Sequence, residues 1–357
     1  FAYLTRERAS PNARLSHARR ETAHGSGLMP QAIVTYSAPF EPLVLLELRR
    51  SGARLTEPLA PGVGVIDFPY PYEQLGEGWR RRPPVYLRHC VPLLQRLPRR
   101  DLKRAVRALA PGLPRNLPVQ VQVRPLAGLP EPCRRELESD LERLVRSITG
   151  IPLEPRRPGQ VVHAILTDAE ALVGAAPVRW TLSPWNGGVP EFWRDPWRLN
   201  RAEHKLQEAL ETFRLRLPEG GRCLDLGASP GGWSRIVLAY GMQVTAVDPH
   251  PRGLAPCVLH RVDYRPVPAQ KFLKDYRGEP FDLLLNDMYL PARASAWLTV
   301  ACAGLLRDGA AGLVTLKLGK ASRHHSLVRA VRILRTAYSI PRMRQLHYNR
   351  AEVTLWL

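Results

Sequence analysis

The stretch Cys223-Leu224-Asp225-Leu226-Gly227-Ala228-Ser229-Pro230-Gly231-Gly232-Trp233-Ser234 restricts this chain more than any other. An apolar strand runs into a glycine-rich turn and then into a helix-forming segment. An open α/β sheet holds a nucleotide-like ligand at its carboxyl edge in this way. Around the loop, strand and helix patterns alternate over 222–226, 233–240, 243–247, 259–262, 281–285, 292–306, 311–316, 326–336 and 352–357. Apolar runs separated by helical periodicity predict a parallel, doubly wound sheet, Rossmann-like in kind.

The loop departs from the dinucleotide fingerprint, because the third glycine position holds Ser229. Asp225 places a negative charge beside the turn, which repels a pyrophosphate and suits the ammonium of an amino-acid moiety. Asp248 closes the next strand, 21 residues beyond Gly227, where a carboxylate accepts hydrogen bonds from ribose hydroxyls. Gly227, Gly231 and Gly232 permit close approach of the backbone, with Ser229, Pro230 and Trp233 completing the loop. S-adenosyl-L-methionine fits this set better than a dinucleotide.

A chain of 357 residues exceeds what one hydrophobic core organises, so further domains are expected. Residues 1–28 are polar and arginine-rich and have no apolar core of a secretory signal. They read as a disordered extension or as a mis-assigned start, with Met29 as the natural beginning. Residues 29–115 begin with a strand at 32–36, a helix at 41–50 and a strand at 63–68, a small α/β part. The basic, proline-punctuated stretch 76–118 reads as a linker with one or two short helices. Residues 116–188 contain a period-two strand at 119–123. A helix over 131–148 follows, with Cys133, Leu137, Leu141, Leu144, Val145 and Ile148 on one face. A strand at 161–167 and a turn at 168–170 come next. Residues 181–198, with Trp185, Trp193 and Trp197, lack periodicity and read as a linker into the last domain, 189–357.

Downstream of the glycine loop, Leu285-Asn286-Asp287-Met288, Thr315-Leu316-Lys317-Leu318 and Asn349-Arg350-Ala351-Glu352-Val353-Thr354 stand at strand ends. Upstream lies Asn200-Arg201-Ala202-Glu203-His204-Lys205-Leu206. Together with DLGASPGGWS these segments resemble the FtsJ-type RNA ribose 2′-O-methyltransferases. Residues 314–318 and 345–354 are most similar to the RlmM type, which modifies a cytidine of 23S ribosomal RNA. That resemblance implies an amino-terminal ferredoxin-like part and a THUMP-like RNA-binding domain, the latter over 116–188. It covers 196–357 strongly and 119–188 less so, and it departs from the family at Asn200, where serine is usual.

The resemblance also implies a catalytic tetrad of Lys205, Asp287, Lys317 and Glu352. Only six of the 52 basic residues are lysine, and two of the six fall on the family's lysine positions. Methyl transfer from a sulfonium to a hydroxyl needs alignment and a proton acceptor. A lysine accepts a proton only when neutral, which burial and nearby cations promote. Lys317 is the expected base, with Lys205 repelling its ammonium form and holding the hydroxyl. Asp287 and Glu352 orient lysines and substrate, Asp287 also touching the donor. Asp263 is expected to accept from the adenine amino group.

The formal net charge is +20, which favours a polyanionic partner, RNA above all. Part of this balance follows from the dominance of arginine, 46 residues against six lysines, which GC-rich coding also produces. Arg201, Arg235, Lys320 and Arg323 are expected to contact phosphates. No apolar run is long enough to span a bilayer, and no Cys/His spacing suits a metal. The five cysteines are far apart and read as buried, inert thiols in a reducing, cytoplasmic compartment. The sequence leaves the oligomeric state open. Two other functions compete. One is a THUMP-linked base N-methyltransferase, although Asn286-Asp287-Met288-Tyr289 lacks the two prolines of that signature. The other is a non-catalytic RNA-binding assembly factor, whose tetrad would be expected to be broken.

Overall fold

A computed structural model describes residues 29–126, 128–192, 195–319 and 322–357. The expected extension over residues 1–28 lies outside the described residues. The first part of the chain runs β1 (Gln31–Tyr36), α1 (Glu41–Arg50), β2 (Arg54–Ala60), β3 (Val63–Asp67), α2 (Tyr72–Arg81) and β4 (Leu87–Pro92). Its antiparallel sheet has the order β2-β3-β1-β4, the ferredoxin-like arrangement. The apolar residues of β1 and β3 serve both faces. Val34 and Ile66 pack under the helices, while Ile33, Val63 and Val65 meet Ile165 and Leu172 of the next sheet.

The second part contains β5 (Gln95–Pro98), α3 (Leu102–Leu109), β6 (Val119–Pro125), α4 (Glu131–Thr149), β7 (Gln160–Leu166) and β8 (Glu170–Pro177). Its sheet has the order β5-β8-β7-β6, with β6 and β7 parallel and the other pairs antiparallel. On α4, Leu141 and Val145 are buried, and Gly150 closes the helix in the left-handed region at φ 69°. Cys133 and Ile148, expected on the buried face, are exposed, because they flank the stripe that reaches the sheet.

Residues 76–118 are not a linker. They complete α2, supply β4 to the first sheet and β5 to the second, and add α3, whose Leu102, Ala105 and Val106 enter the core of the second part. The arginines that suggested a solvated connector lie on the outer faces of these elements.

The third part forms a seven-stranded sheet of order β11-β10-β9-β12-β13-β15-β14. Its elements are α5 (Ala202–Phe213), β9 (Arg222–Leu226), α6 (Gly232–Ala239), β10 (Gln243–Val247), α7 (Pro256–Leu259), β11 (Asp263–Arg265) and α8 (Ala269–Asp275). They continue as β12 (Phe281–Asn286), α9 (Ala292–Ala301), β13 (Leu306–Lys317), α10 (Arg323–Leu334), β14 (Arg342–Arg344) and β15 (Glu352–Trp356). Strands β9 to β13 are parallel, and the inner strands β9, β10 and β12 are buried over most of their length, as a helix-covered sheet requires. Strand β15 is antiparallel to β13, so the sheet is mixed rather than wholly parallel. The strand expected at 259–262 is instead the end of α7 followed by a turn, and the paired residues begin at Asp263. The helix expected over 292–306 stops at Ala301, and β13 starts at Leu306. Two thiols break the expectation of burial, since Cys133 and Cys257 are exposed.

The first and third parts share one apolar cluster, in which Phe40, Val44 and Tyr86 join Leu327, Val331 and Leu334. Polar bonds reinforce the joint: Gln345 N donates to Val85 O at 2.7 Å and Arg344 Nη2 to Leu87 O at 2.7 Å. Among the described residues no helix is long and apolar enough to cross a membrane.

Candidate active site

Strand order reverses beside β9, and the carboxyl ends of β9, β12 and β13 open there together. Asp287 follows β12, Lys317 ends β13 and Glu352 starts β15, directly opposite Lys317 in the antiparallel register. Lys205 comes from the first turn of α5. Its Nζ lies 3.3 Å from Asp287 Oδ2 and 2.8 Å from Glu352 Oε2. The second approach is an ion pair outside hydrogen-bond geometry. Lys317 Nζ donates to Asp287 Oδ1 and stands 3.3 Å from Glu352 Oε1. The four side chains are 13–15% exposed, and Lys205, Lys317 and Glu352 line a cavity of about 1000 Å³.

Two ammonium groups and two carboxylates alternate around this cluster. Burial disfavours the Lys205 ammonium, but Asp287 and Glu352 outweigh it and raise the amine above its ordinary range. Burial likewise opposes the charged Glu352, yet Lys317 and Lys205 hold its carboxyl below the usual range. In this arrangement the carboxylates dominate the electrostatics of Lys205 and keep it charged.

Neighbouring polar residues explain the positions. Buried Asn286 donates to Ser295 Oγ at 3.2 Å and Thr299 Oγ1 at 3.0 Å, and accepts from Met288 N at 3.2 Å. This ties the turn carrying Asp287 to α9. Glu208, one turn beyond Lys205, accepts from His347 N at 2.6 Å and Tyr348 N at 2.9 Å, fastening the segment that leads into Glu352. Burial pushes the Glu208 carboxyl up to about 7. Asn200 Oδ1 accepts from Ala202 N at 2.9 Å, an Asx turn that leads the chain into α5. Glu203, Glu208, Asn286, Ser295 and Thr299 escape sequence reading because each acts through a partner distant in the chain.

The glycine loop joins β9 to α6. Gly227 has φ +76°, and a Cβ there would lie 2.8 Å from Met288 Cγ. Gly231, at φ +107°, turns the chain into α6, whose first residue is Gly232; the Ser229–Pro230 bond is cis. Asp225 is 2% exposed and accepts from Ser234 Oγ at 2.7 Å. Burial pushes its carboxyl up to about 7, with Asp287 and Asp248 adding to the shift. Asp248 accepts from Ser229 N at 3.0 Å and His250 N at 2.7 Å, each on a different oxygen.

Several expected residues sit elsewhere. The buried Trp233 indole donates to Ala202 O at 2.6 Å, so it secures α5 instead of facing the loop. Asp263 is half-exposed and paired with Arg265 at 2.9 Å. Arg235 is held by Asp195 at 2.5 Å and by Glu203, which neutralise it. Arg323 lies over the Phe40 ring and donates to Pro39 O at 2.7 Å, joining the first and third parts rather than meeting a phosphate. Arg201 is exposed and lines the cavity. Lys320 and Trp193 lie outside the described residues. A second cleft of about 670 Å³, between α2, residues 178–185 and β14, contains none of the expected site residues.

Residues 198–309 match the FtsJ-like methyltransferase family. The carboxyl-terminal part of this chain is an FtsJ-like methyltransferase domain. Its methyl donor is S-adenosyl-L-methionine. Among curated relatives, "Ribosomal RNA large subunit methyltransferase M" of Azoarcus sp. is 28% identical over 326 residues, covering 83% of this chain and 86% of that one. The protein of the same name from Azotobacter vinelandii is 30% identical over 237 residues, 62% of this chain and 65% of the relative. In shape the chain is similar to TrmN from Thermus thermophilus, with TM-score 0.36 and 17% identity over 92% of this chain and 98% of that one. That likeness is too distant to add to the assignment. The matched segment of the methyltransferase domain contains Lys205, the glycine loop and Asp287, whereas Lys317 and Glu352 lie beyond it.

Proposed function

We propose that the chain methylates a ribose 2′-hydroxyl of ribosomal RNA, with Lys317 as the base in a Lys205–Asp287–Lys317–Glu352 tetrad. The convergence of these four side chains, three of which line one cavity, carries the reading. The donor, when bound, supplies a methyl group already activated on a sulfonium. What remains for the protein is alignment and removal of one proton. Asp225 and Asp248, at the ends of adjacent parallel strands beside a loop without side-chain bulk, suit an aminoacyl and ribosyl ligand.

Two ammonium groups and two carboxylates balance to zero formal charge in the tetrad. With a cationic donor held beside it, the tetrad would favour the form in which one lysine has given its proton to solvent. Both lysines face the same two carboxylates, and Lys317 is assigned as the one to give up its proton from the family pattern its segment resembles. Its free amine then takes the hydroxyl proton as the new C–O bond forms and the C–S bond breaks, leaving a neutral thioether. Asp287 and Glu352 hold both amines in line. The THUMP-like unit expected over 116–188, whose sheet also takes in β5, binds RNA, and Arg201 meets a phosphate at the cavity mouth. The relatives' printed names support ribosomal RNA as substrate, and the chain acts in the cytoplasm.

The test is methyl transfer from labelled donor to ribosomal RNA transcribed in vitro, followed by alkaline hydrolysis. A 2′-O-methyl group blocks cleavage of the adjoining phosphodiester, so the label is expected in alkali-resistant dinucleotides. Label in mononucleotides would mean methylation of a base and would overturn the reading.

A further inference from the structure

Tyr289 is 96% exposed, although its turn is well tied. Met288 N donates to Asn286 Oδ1, Leu290 N donates to Met288 O at 2.9 Å, and Pro291 bridges to Lys317. The ring therefore stands on a fixed support two residues from Asp287, and it lines the tetrad cavity. An exposed aromatic ring is costly in water and gains nothing from the fold here, whereas a planar apolar partner would cover it.

The same cavity is lined by Arg201, Arg293, Arg329 and Arg350, all exposed. None forms an ion pair among the described residues, in contrast to Arg235 with its two carboxylates. Four like charges around one opening repel one another until a polyanion neutralises them. A ring that takes a planar face, surrounded by guanidinium groups that take phosphates, complements an unpaired nucleotide with its flanking backbone.

Resting on the reading above, we propose that Tyr289 is the stacking platform for the base of the target nucleotide. Arg293, Arg329 and Arg350 clamp the phosphates on either side of it. The site then selects a nucleotide swung out of single-stranded RNA and rejects one held in a duplex. Stacking tolerates any base, so Tyr289 governs accessibility rather than base identity.

The experiment compares wild type, Tyr289→Ala and Tyr289→Trp on ribosomal RNA transcribed in vitro, measuring kcat, KM for RNA and donor affinity separately. Tyr289→Ala should raise the RNA KM about ten-fold with donor affinity unchanged, and Tyr289→Trp should restore it. A triple replacement of Arg293, Arg329 and Arg350 by Gln should flatten the plot of log KM against log salt by about two units of slope. An alanine variant with wild-type KM, or a tryptophan variant that fails to recover, overturns the stacking role. Wild type that methylates no RNA strikes the proposed function itself, a result separable from an active enzyme indifferent to Tyr289.

Discussion

Two polar clusters are buried in this molecule, and they respond to burial in opposite ways. His89 of β4 and His163 of β7 face each other across the joint of the first two sheets, ring centroids 5.2 Å apart. Burial holds both below the ordinary imidazole range, His163 down to about 4, and the nearby Arg124 adds to this. His163 Nε2 has Asn186 Oδ1 at 3.3 Å, while His89 Nε2 and His163 Nδ1 have no hydrogen-bond partner among the described residues. In the tetrad each ammonium lies within 3.4 Å of carboxylate oxygens, and Lys205 and Glu352 are held in their charged forms. Desolvation alone yields neutral rings that fill a joint. Desolvation with compensating charge keeps Lys205 and Glu352 ionised at the cavity.

Substitution can break this contrast. Lys317→Ala should lower methyl transfer about a thousand-fold while leaving thermal stability close to wild type, measured by single-turnover kinetics and a melting curve. His163→Leu should leave transfer within about two-fold, because nothing in the joint reaches the cavity. Equal losses in both variants would refute the distinction. Glu352→Gln, which leaves the two amines with one carboxylate, should reduce transfer about a hundred-fold, and the pH profile of kcat should shift with it.

The smaller effects lie in stability against pH. The histidines have folded-state pKa values below the unfolded 6.5, so the unfolded chain binds their protons more readily. Their contribution is complete above pH 6.5 and lost as pH falls toward about 4. His163→Leu should therefore reduce the drop in Tm across that window by roughly 2–4 °C. Asp225 has the opposite sign. Its folded-state pKa lies near 7 against an ordinary 3.8, so its burial costs stability progressively as pH rises through that interval. Relative to wild type, Asp225→Asn should gain Tm from pH 4 to pH 7 and no further above it. The gain should come with weaker donor binding.

The glycine loop and its two aspartates were legible because strand, turn and helix are contiguous there. Lys205, Asp287, Lys317 and Glu352 were legible only as separate segments, through resemblance. Residues 76–118 misled because arginine-rich outer faces and frequent prolines hide short strands such as 87–92 and 95–98, which are stabilised by partners far along the chain. Trp233, Arg235 and Arg323 were misread for a related reason. A large ring or a cation beside a site has the composition of a binding residue, and only its partners, Ala202, Asp195 with Glu203, and Phe40, show that it is already engaged.

Local chemistry in the sequence determined that a strand would turn through glycines into a helix, that its ligand would not be a pyrophosphate, and that the chain would be strongly basic. The tertiary structure decided which charges cancel. It set Lys317 against Glu352 across an antiparallel pair, left Arg201, Arg293, Arg329 and Arg350 unneutralised, and exposed Tyr289. Coulomb energy depends on distance through space, which sequence separation does not specify.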